Sequence, residues 1–566
     1  LKLAAVAGRR LDRRLLGALE NQLDDWLQAC TDAAILEVSE SEWRFAHDKL
    51  REGLLSTLTK DERRSLHRQI GEAIEQVYAE KERPLATLAH HFDEADDKVK
   101  AVRYTSQAGS VALRSGALHE AQSLFERTFA LQQQLQTDHI EQAATLRRLA
   151  RTLLGIGRPA DSLLRVRQAM ALLGQPIPEH KLALRWALLQ ELGTELRHRW
   201  QGAVRETEST QLAVGKELLL LVRSTNDAFF VTPGHKEEAI LVILRALHTA
   251  ERVDDLQQQI NYLGWLAYAS YVAPFPQLGR FYLRRAEALL TEDGQSIVYS
   301  SLYSFSAYIL AAEGEFERSL LGVSKWIEKS TQDGDMWQAA LGHSSRAATR
   351  LLMEDLDGVM QDGEACLQCG TKLQNPIYMA SGIAWKLIVL LRRGEASEAY
   401  QLAQEVRQLV SSGHNSLVTM TAHGLLAWAA LCNSHHAESA SEADLALARM
   451  QRISPATPSN YEGYVSTLLT CLELANLAQT ESDQRAADKR LQLAIFQMAR
   501  FARVFPIGWP QVCLGIGRYL GMRGQRRAAM LAFDLGLRLA RRYHLRTEER
   551  LLTLWQHQLG DSPPVA

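Results

Sequence analysis

The sequence has few of the residues that mark secreted, membrane-spanning or disulfide-linked proteins. Its 566 residues include only six cysteines and 14 prolines. Cysteines scattered over such a length form no disulfide framework and suit a reducing cytoplasm. We find no secretory signal and no apolar run long enough to span a bilayer. These absences predict a cytoplasmic protein that does not enter a membrane.

The sequence also lacks an excess of charge of either sign. It has 64 basic and 66 acidic residues, for a net charge of -2, which argues against a general binder of nucleic acid or membrane surfaces. The hydrophobic fraction of 46% and the charged fraction of 23% are those of an ordinary globular protein. The length exceeds that of a single compact core, so we expect at least two units or a long repeat array.

Motifs of catalytic and metal chemistry are missing as well. The sequence has no G-x-x-x-x-G-K-[ST] phosphate loop, no G-x-S-x-G and no H-E-x-x-H. Cys366 and Cys369 form a lone C-x-x-C, which without a second pair favours helix packing over zinc. We therefore predict no catalytic residues, no metal ligands and no resident cofactor in this chain, which is not expected to be an enzyme.

A short mixed segment opens the chain. Residues 34–38 form an apolar run, residues 39–41 a polar turn, and Trp43 and Phe45 a second strand that leads into an amphipathic helix. Asp48 stands where it could cap that helix. The pattern predicts a β-hairpin that would serve as the wing of a winged helix.

Almost everything after this segment has the pattern of paired helices. Glycines that precede an Ala- or Leu-rich second helix are 41 residues apart in one pair and 80 in another: Gly116 and Gly157, then Gly314 and Gly394. The midpoint of the second pair is a polar turn at Glu354, and one more step of 40 reaches Ser434. The period near 40 is longer than the tetratricopeptide standard of about 34. The predicted fold is all-α, a TPR-like α-solenoid of helix pairs after a winged-helix-like segment.

The middle of the sequence has a less regular pattern. Trp186 and Trp200 belong to predicted long helices with a charged connection near Arg205. His90 and His91 have no cysteine or carboxylate at metal spacing, so we expect helix packing or solvent contact for them.

The predicted organisation has five parts. They are a winged-helix-like segment (1–60), first TPR-like repeats (61–180), irregular helical repeats (181–300), further TPR-like repeats (301–560) and a disordered tail (561–566).

Several motifs in this order resemble STAND-class signalling ATPases, relatives of the AAA family that couple a nucleotide switch to a helical-repeat sensor. They are A-A-V-A-G-x-x-L-D at 4–12, with one residue more than the usual entry, then A-H-D at 46–48, R-x-x-L-H at 63–67, L-A-H-H-F at 88–92 and K-A-x-x-Y at 100–104. Residues 500–508 are similar to a late segment of bacterial AAA-type ATPases that are often fused to a class III nucleotide cyclase or a Ser/Thr kinase. In this chain Trp509 precedes Pro510, at the position where the family has a basic residue.

The resemblance implies a function for the whole chain. His47 would contact the phosphate of ATP or ADP held by an upstream P-loop domain, and Asp48 would hold the turn. The solenoid would bind a protein partner or inducer on its concave face, and oligomerisation could depend on that inducer. From the residues alone, His47 could instead pack under the wing, with Asp48 only a helix cap.

Two other functions compete with the regulatory one. The first is a passive TPR scaffold that gathers protein partners without nucleotide coupling. The second is a winged-helix transcription factor, but its recognition helix would contain Asp24 and Asp25, and acidic residues crowd the wing. Binding of nucleic acid is accordingly disfavoured.

Overall fold

The computed structural model describes residues 1–20, 22–39, 42–232, 234–273, 275–290, 299–411 and 416–561. The predicted disordered tail lies outside these residues, apart from Asp561, as do Glu40 and Ser41 of the predicted turn. The chain divides into two compact units, Leu1–Pro176 and Ile177–Ala566. Within the described part there are 29 α-helices and one small sheet, so the predicted all-α, TPR-like fold is confirmed. None of the described helices is long and apolar enough to cross a membrane.

The first unit opens with a segment that contains the sheet. Its elements are α1 (Lys2–Ala7), β1 (Arg10–Leu11), α2 (Arg13–Leu19), α3 (Leu23–Asp32), β2 (Leu36–Ser39), β3 (Glu42–Phe45) and α4 (Asp48–Ser56). The strands are antiparallel in the order β1-β3-β2. Leu36 pairs with Phe45, and both are buried, whereas Val38 on the same strand is 57% exposed. The predicted hairpin is therefore present.

Two features of this segment differ from the expectations from sequence. Strand β1 was not predicted, because two residues are too few to show the alternation that identifies a strand. The N-cap of α4 is His47 and not Asp48, which is the first helical residue. Asp48 instead pairs with Arg9, at 3.2 Å between Nε and Oδ1.

Three helix pairs complete the first unit. They are α5 (Lys60–Val77) with α6 (Leu85–Glu94), α7 (Lys98–Ser115) with α8 (Leu118–Leu135), and α9 (His139–Gly155) with α10 (Pro159–Leu172). A capping box between Thr59 and Glu62 begins α5. Gly109 permits close packing of α7 on α8, since a Cβ there would lie 2.9 Å from the Phe125 ring.

A buried pair of histidines joins α5 to α6. The Nδ1 atoms of His67 and His91 are 2.9 Å apart, and the residues are 3% and 2% exposed, whereas His90 is exposed. Burial lowers the pKa of His67 from 6.5 to about 4 and that of His91 to about 3. Both rings are therefore neutral near pH 7, when one can donate its proton to the other.

This pair makes the first unit sensitive to acid. In the unfolded chain both rings titrate near pH 6.5, so below that pH the unfolded state binds protons that the folded state does not. We expect the free energy of opening α5 and α6 to fall by up to about 2.7 kcal/mol per pH unit between about pH 6.5 and pH 4. Hydrogen exchange of peptides from these helices, at about pH 7 and pH 5, measures the effect. Replacing both His67 and His91 with Gln should remove it, whereas His90→Gln should not.

The second unit contains the remaining helices. Before the regular repeats come α11 (Lys181–Gln201), α12 (Ser209–Thr225), α13 (Asp227–Val231), α14 (Lys236–Arg252), α15 (Leu256–Val272) and α16 (Pro276–Ala288). The regular pairs are α17 (Tyr299–Ala312) with α18 (Phe316–Gln332), α19 (Met336–Leu352) with α20 (Leu356–Lys372), α21 (Pro376–Arg393) with α22 (Ala396–Ser411), and α23 (Ser416–Cys432) with α24 (His436–Arg452). The chain ends in α25 (Tyr461–Leu477), α26 (Glu481–Val504), α27 (Trp509–Met522), α28 (Arg526–Arg542) and α29 (Arg546–Asp561).

The predicted period of 40 is present in these pairs. Helices α18 to α24 begin at residues 316, 336, 356, 376, 396, 416 and 436, one every 20 residues. The four turns inside the pairs have positive φ, at Gly314 (83°), Glu354 (65°), Gly394 (80°) and Ser434 (61°). A left-handed residue ends a helix by turning its next amide back onto the last carbonyls, which explains why the turns recur at these positions.

A buried carboxylate joins α19 to α20. Asp362, whose side chain is 1% exposed, accepts hydrogen bonds from His343 Nδ1 (2.9 Å), Arg346 Nη2 (2.7 Å) and Arg350 Nη1 (2.8 Å). Burial alone would raise its pKa, but the hydrogen bonds from His343 and Arg346 and the charges of Arg346 and Arg350 hold it below the ordinary value. In the same helix Cys366 is buried, and its Sγ lies 3.6 Å from the Tyr378 carbonyl oxygen.

Candidate protein-binding cleft

An open cleft of about 390 Å³ lies in the first unit. It is bounded by α7, by α9 and by the chain that enters α6. Its lining residues are Glu80, Lys81, Leu85, Ser106, Gln107, Ser110, Val111, Arg114 and Arg148. We call this the basic cleft.

One face of α7 forms its floor. Ser106, Ser110 and Arg114 are four residues apart, so they stand above one another on the helix surface. Small hydroxyls at two of these positions leave room above the floor. From α9, Arg148 reaches across and donates from Nη1 to Ser106 Oγ at 3.2 Å. The guanidinium is thus held at the edge of the cleft.

The charges of the cleft are unequal. Lys81, Arg114 and Arg148 contribute three positive groups against the single carboxylate of Glu80. Val111 is 45% exposed and offers an apolar contact between them. Arginine forks and serine hydroxyls are donors that suit carboxylates. The arrangement can bind an extended chain that carries Asp or Glu side chains or a free carboxyl terminus.

His47 and Asp48, the predicted nucleotide-contacting residues, are not part of the basic cleft. Both are exposed at the start of α4, and their role in contacting nucleotide stays a prediction. His47 does not pack under the hairpin, because its side chain is on the surface. Arg51 in the same helix donates from Nε to the Ala5 carbonyl oxygen at 2.8 Å, which fixes α4 against α1.

In the second unit the chain itself covers part of the repeats. At the turn between α19 and α20, Glu354 accepts a hydrogen bond from Thr547 at 2.6 Å. At the same end of α29, Glu548 accepts from the buried Tyr461 hydroxyl at 2.7 Å. Helix α25, which contains Tyr461, is buried on nearly every side along its first three turns. The surface over Glu354 is consequently taken by the chain's own last helices.

The basic cleft was not predicted from the sequence. Its members come from three stretches, and Ser106 and Arg148 are 42 residues apart. The only local signal was the four-residue spacing of Ser106, Ser110 and Arg114. In the described part of the chain, no group of three or more His, Cys, Asp or Glu side chains is placed to bind a metal ion.

Comparison with known proteins identifies the repeat type. A tetratricopeptide repeat family model matches residues 101–175, which include most of α7 and all of α8 to α10. No curated protein matches the chain.

Solved structures of helical-repeat proteins align at low identity. Yeast Tom70 is 11% identical over 88% of this chain and 97% of that chain, with a TM-score of 0.35. A Signal Transduction ATPase with Numerous Domains (STAND) protein with a tetratricopeptide repeat sensor, from Pyrococcus horikoshii, is 11% identical over 90% of this chain, with a TM-score of 0.41. This chain covers 64% of that protein. The Cut9–Hcn1 hetero-tetramer of the APC/C aligns with a TM-score of 0.36.

Proposed function

We propose that this chain is the sensor and coupling region of a STAND-type signalling ATPase. Its basic cleft would bind an acidic segment of a protein partner. Its first 60 residues would form a winged helix that transmits this event to a nucleotide-binding domain upstream of Leu1. The observation that carries the proposal is the open, positively charged cleft on tetratricopeptide helices.

The repeat type and the charge of the basic cleft both support the proposal that this chain binds a protein partner. Tetratricopeptide arrays generally mediate protein–protein interaction, and residues 101–175 match that repeat. The cleft volume of about 390 Å³ suits a short extended segment of a partner. The partner segment would place its carboxylates on Arg114, Arg148 and Lys81, with an apolar side chain against Val111.

The topology of the first segment supports the proposal that it transmits partner binding to a nucleotide-binding domain. The element order α1-β1-α2-α3-β2-β3, with β3 between the edge strands β1 and β2, supports the proposal of a winged helix. His47 lies directly before α4, where the first backbone amides and the helix dipole favour an anion. These donors could contact the terminal phosphate of ADP bound to the neighbouring domain, while the ion pair of Asp48 with Arg9 holds the turn.

Coupling then follows from differential binding. With ADP bound, His47 would hold the winged helix against the nucleotide domain and keep the oligomerising surface covered. A partner shifts the equilibrium only if it binds the open state more tightly than the closed one. Partner binding to the basic cleft would therefore favour nucleotide exchange and inducer-dependent assembly.

Replacing His47 with alanine in the full-length protein should give activity without inducer. Loss of one charge-assisted phosphate contact weakens the closed state by about 1.5–3 kcal/mol, which raises the open fraction by about 10-fold or more while the open state is rare. ATP hydrolysis without inducer measures this. Lys49→Ala, at the adjacent exposed position, is the matched control. An unchanged basal rate in the His47 variant would contradict the proposed contact.

A passive scaffold is the second candidate. It is favoured by the match of the family model to the repeats alone, since residues 101–175 lie wholly beyond the winged-helix-like segment. A scaffold would bind its partner in the same cleft, but with an affinity that nucleotide leaves unchanged. Partner affinity measured with and without ADP, in the protein extended upstream, separates the two candidates.

A further inference from the structure

One helix of the second unit presents an apolar face to solvent. Helix α11 packs on α14 through Leu184 and Ala187, which are 6% and 8% exposed. On its opposite side large apolar residues are uncovered. Their exposed fractions are 82% for Leu182, 64% for Trp186, 60% for Leu189, 56% for Leu196 and 89% for Trp200.

The exposed residues follow a heptad spacing. Leu182, Trp186, Leu189, Gly193, Leu196 and Trp200 are separated by 4, 3, 4, 3 and 4 residues, and we call them the α11 seam. A spacing of 3.5 keeps a narrow apolar strip on one line, which is how one helix of a coiled coil faces another. The seam is about 27 Å long at 1.5 Å per residue, or five turns of helix. A second helix can lie along it.

Gly193 leaves a gap in the middle of the α11 seam, which supports the packing of a second helix along it. A Cβ built on Gly193 would meet no atom within 4 Å. Leu189 and Leu196 stand one turn before and one turn after it. Such a gap is a hole into which a large side chain of a facing helix would insert.

The flanks of the seam are basic. Arg185, Arg197 and Arg199 occupy the positions beside it, where coiled coils select partners by charge. Arg185 also pairs with Glu237 at 3.3 Å, and the Arg199 guanidinium lies over the Phe281 ring, so the flanks keep a net positive charge. The two acidic residues of α11 face inward instead. Glu191 Oε2 lies 2.8 Å from His248 Nδ1, and Glu195, whose side chain is 4% exposed, pairs with Arg285. In an antiparallel pair of two copies, Arg185 of one copy would face Arg199 of the other, so charge disfavours that form of self-association.

We propose that the α11 seam is the docking site for an amphipathic helix of a partner protein. The partner helix carries apolar residues at heptad spacing, Asp or Glu on both flanks, and a large side chain opposite Gly193. The apolar strip would supply affinity, and the flanking arginines would select the partner and its direction. This surface lies in the second unit, shares no residue with the basic cleft, and does not depend on the function proposed above.

Two designed peptides test the proposal on the full chain. Both have about four heptads with leucine at the apolar positions, one with Glu and the other with Lys at the flanking positions. Fluorescence anisotropy of labelled peptide should show that the Glu peptide binds at least about 10-fold more tightly than the Lys peptide, with the difference shrinking in high salt. Gly193→Leu, which fills the hole, should weaken Glu-peptide binding by a similar factor.

Substitutions separate the seam from other surfaces. Leu189→Glu together with Leu196→Glu should lower affinity for the Glu peptide by about 100-fold, because both changes place charge in the apolar contact. Leu531→Glu is the matched control, since Leu531 is 70% exposed on α28, and should leave binding unchanged. Circular dichroism checks that each variant is folded.

Three results would overturn the proposal. One is equal or absent binding of the two peptides. Another is a dimer of the full chain, seen by analytical ultracentrifugation, that the Leu189 and Leu196 substitutions dissociate, since the occupant would then be a second copy. The third is binding to anionic phosphatidylglycerol vesicles that the same substitutions abolish, since the seam would then be a membrane contact.

Discussion

Replacing both Arg114 and Arg148 with glutamate should abolish binding of an extended acidic peptide to the basic cleft. The two guanidinium groups line the basic cleft, and a charge-assisted hydrogen bond contributes about 1.5–3 kcal/mol. Losing two of them lowers affinity by at least about 100-fold, and the new carboxylates repel the ligand further. The measurement is anisotropy of a labelled peptide that ends in a run of glutamates, titrated with the full chain.

Controls decide whether the effect belongs to the cleft. Arg538→Glu removes an exposed basic side chain of α28 and should leave the affinity unchanged. Replacing Arg114 and Arg148 with lysine keeps the charge but loses the fork, so binding should weaken by less than with glutamate. If the glutamate variant binds as tightly as the unaltered chain, the peptide does not occupy this cleft.

Replacing Asp362 with alanine should be the most destabilising single change in the regular repeats. Its carboxylate receives hydrogen bonds from Arg346 and Arg350, and the side chain is 1% exposed. Removing it leaves two partly buried guanidinium groups without their shared counter-ion. Breaking a buried ion pair from one side costs about 3–5 kcal/mol. Urea unfolding followed by circular dichroism should show a clearly lower midpoint.

The same helix provides the control for this prediction. Asp357 pairs with Arg393 at 2.6 Å, but its side chain is 85% exposed. Exposed ion pairs contribute little, so Asp357→Ala should change stability by less than about 1 kcal/mol. Equal effects of the two substitutions would mean that the Asp362 cluster does not stabilise the repeats.

The periodic part of the fold was predictable from the sequence because its signal is repeated. Once Gly314 and Gly394 set the register, a polar turn could be placed at Glu354 and at Ser434, although neither is glycine. Both residues have positive φ, as a turn between helices requires. A single odd turn carries little information, but four turns at equal spacing identify the architecture.

The sites were less predictable because they depend on which face of each helix is covered. Trp186 and Trp200 have the character of core residues, and the sequence alone indicated only that they belong to long helices. The structure exposes both. Likewise Arg148 and Ser106 form a hydrogen bond although they are 42 residues apart in the sequence. A local sequence pattern cannot predict a contact between residues so far apart. Short elements could not be predicted either. Strand β1, for example, has only two residues, which are too few to show a period.

His47 is the residue on which the coupling proposal depends. Its resemblance to a phosphate-contacting histidine predicted a role, and its exposure at the start of α4 is compatible with one. Contact with nucleotide would require a second domain. The coupling proposal is therefore tested in the longer protein.

The most direct measurement of the central claim is nucleotide binding by the protein extended upstream of Leu1, compared with this chain alone. Isothermal titration with ADP and with ATP gives both affinities. We predict that only the extended protein binds, that it binds ADP more weakly after His47→Ala, and that partner occupancy of the basic cleft lowers its affinity for ADP. Failure of the extended protein to bind either nucleotide would contradict the switch and leave the chain a protein-binding scaffold.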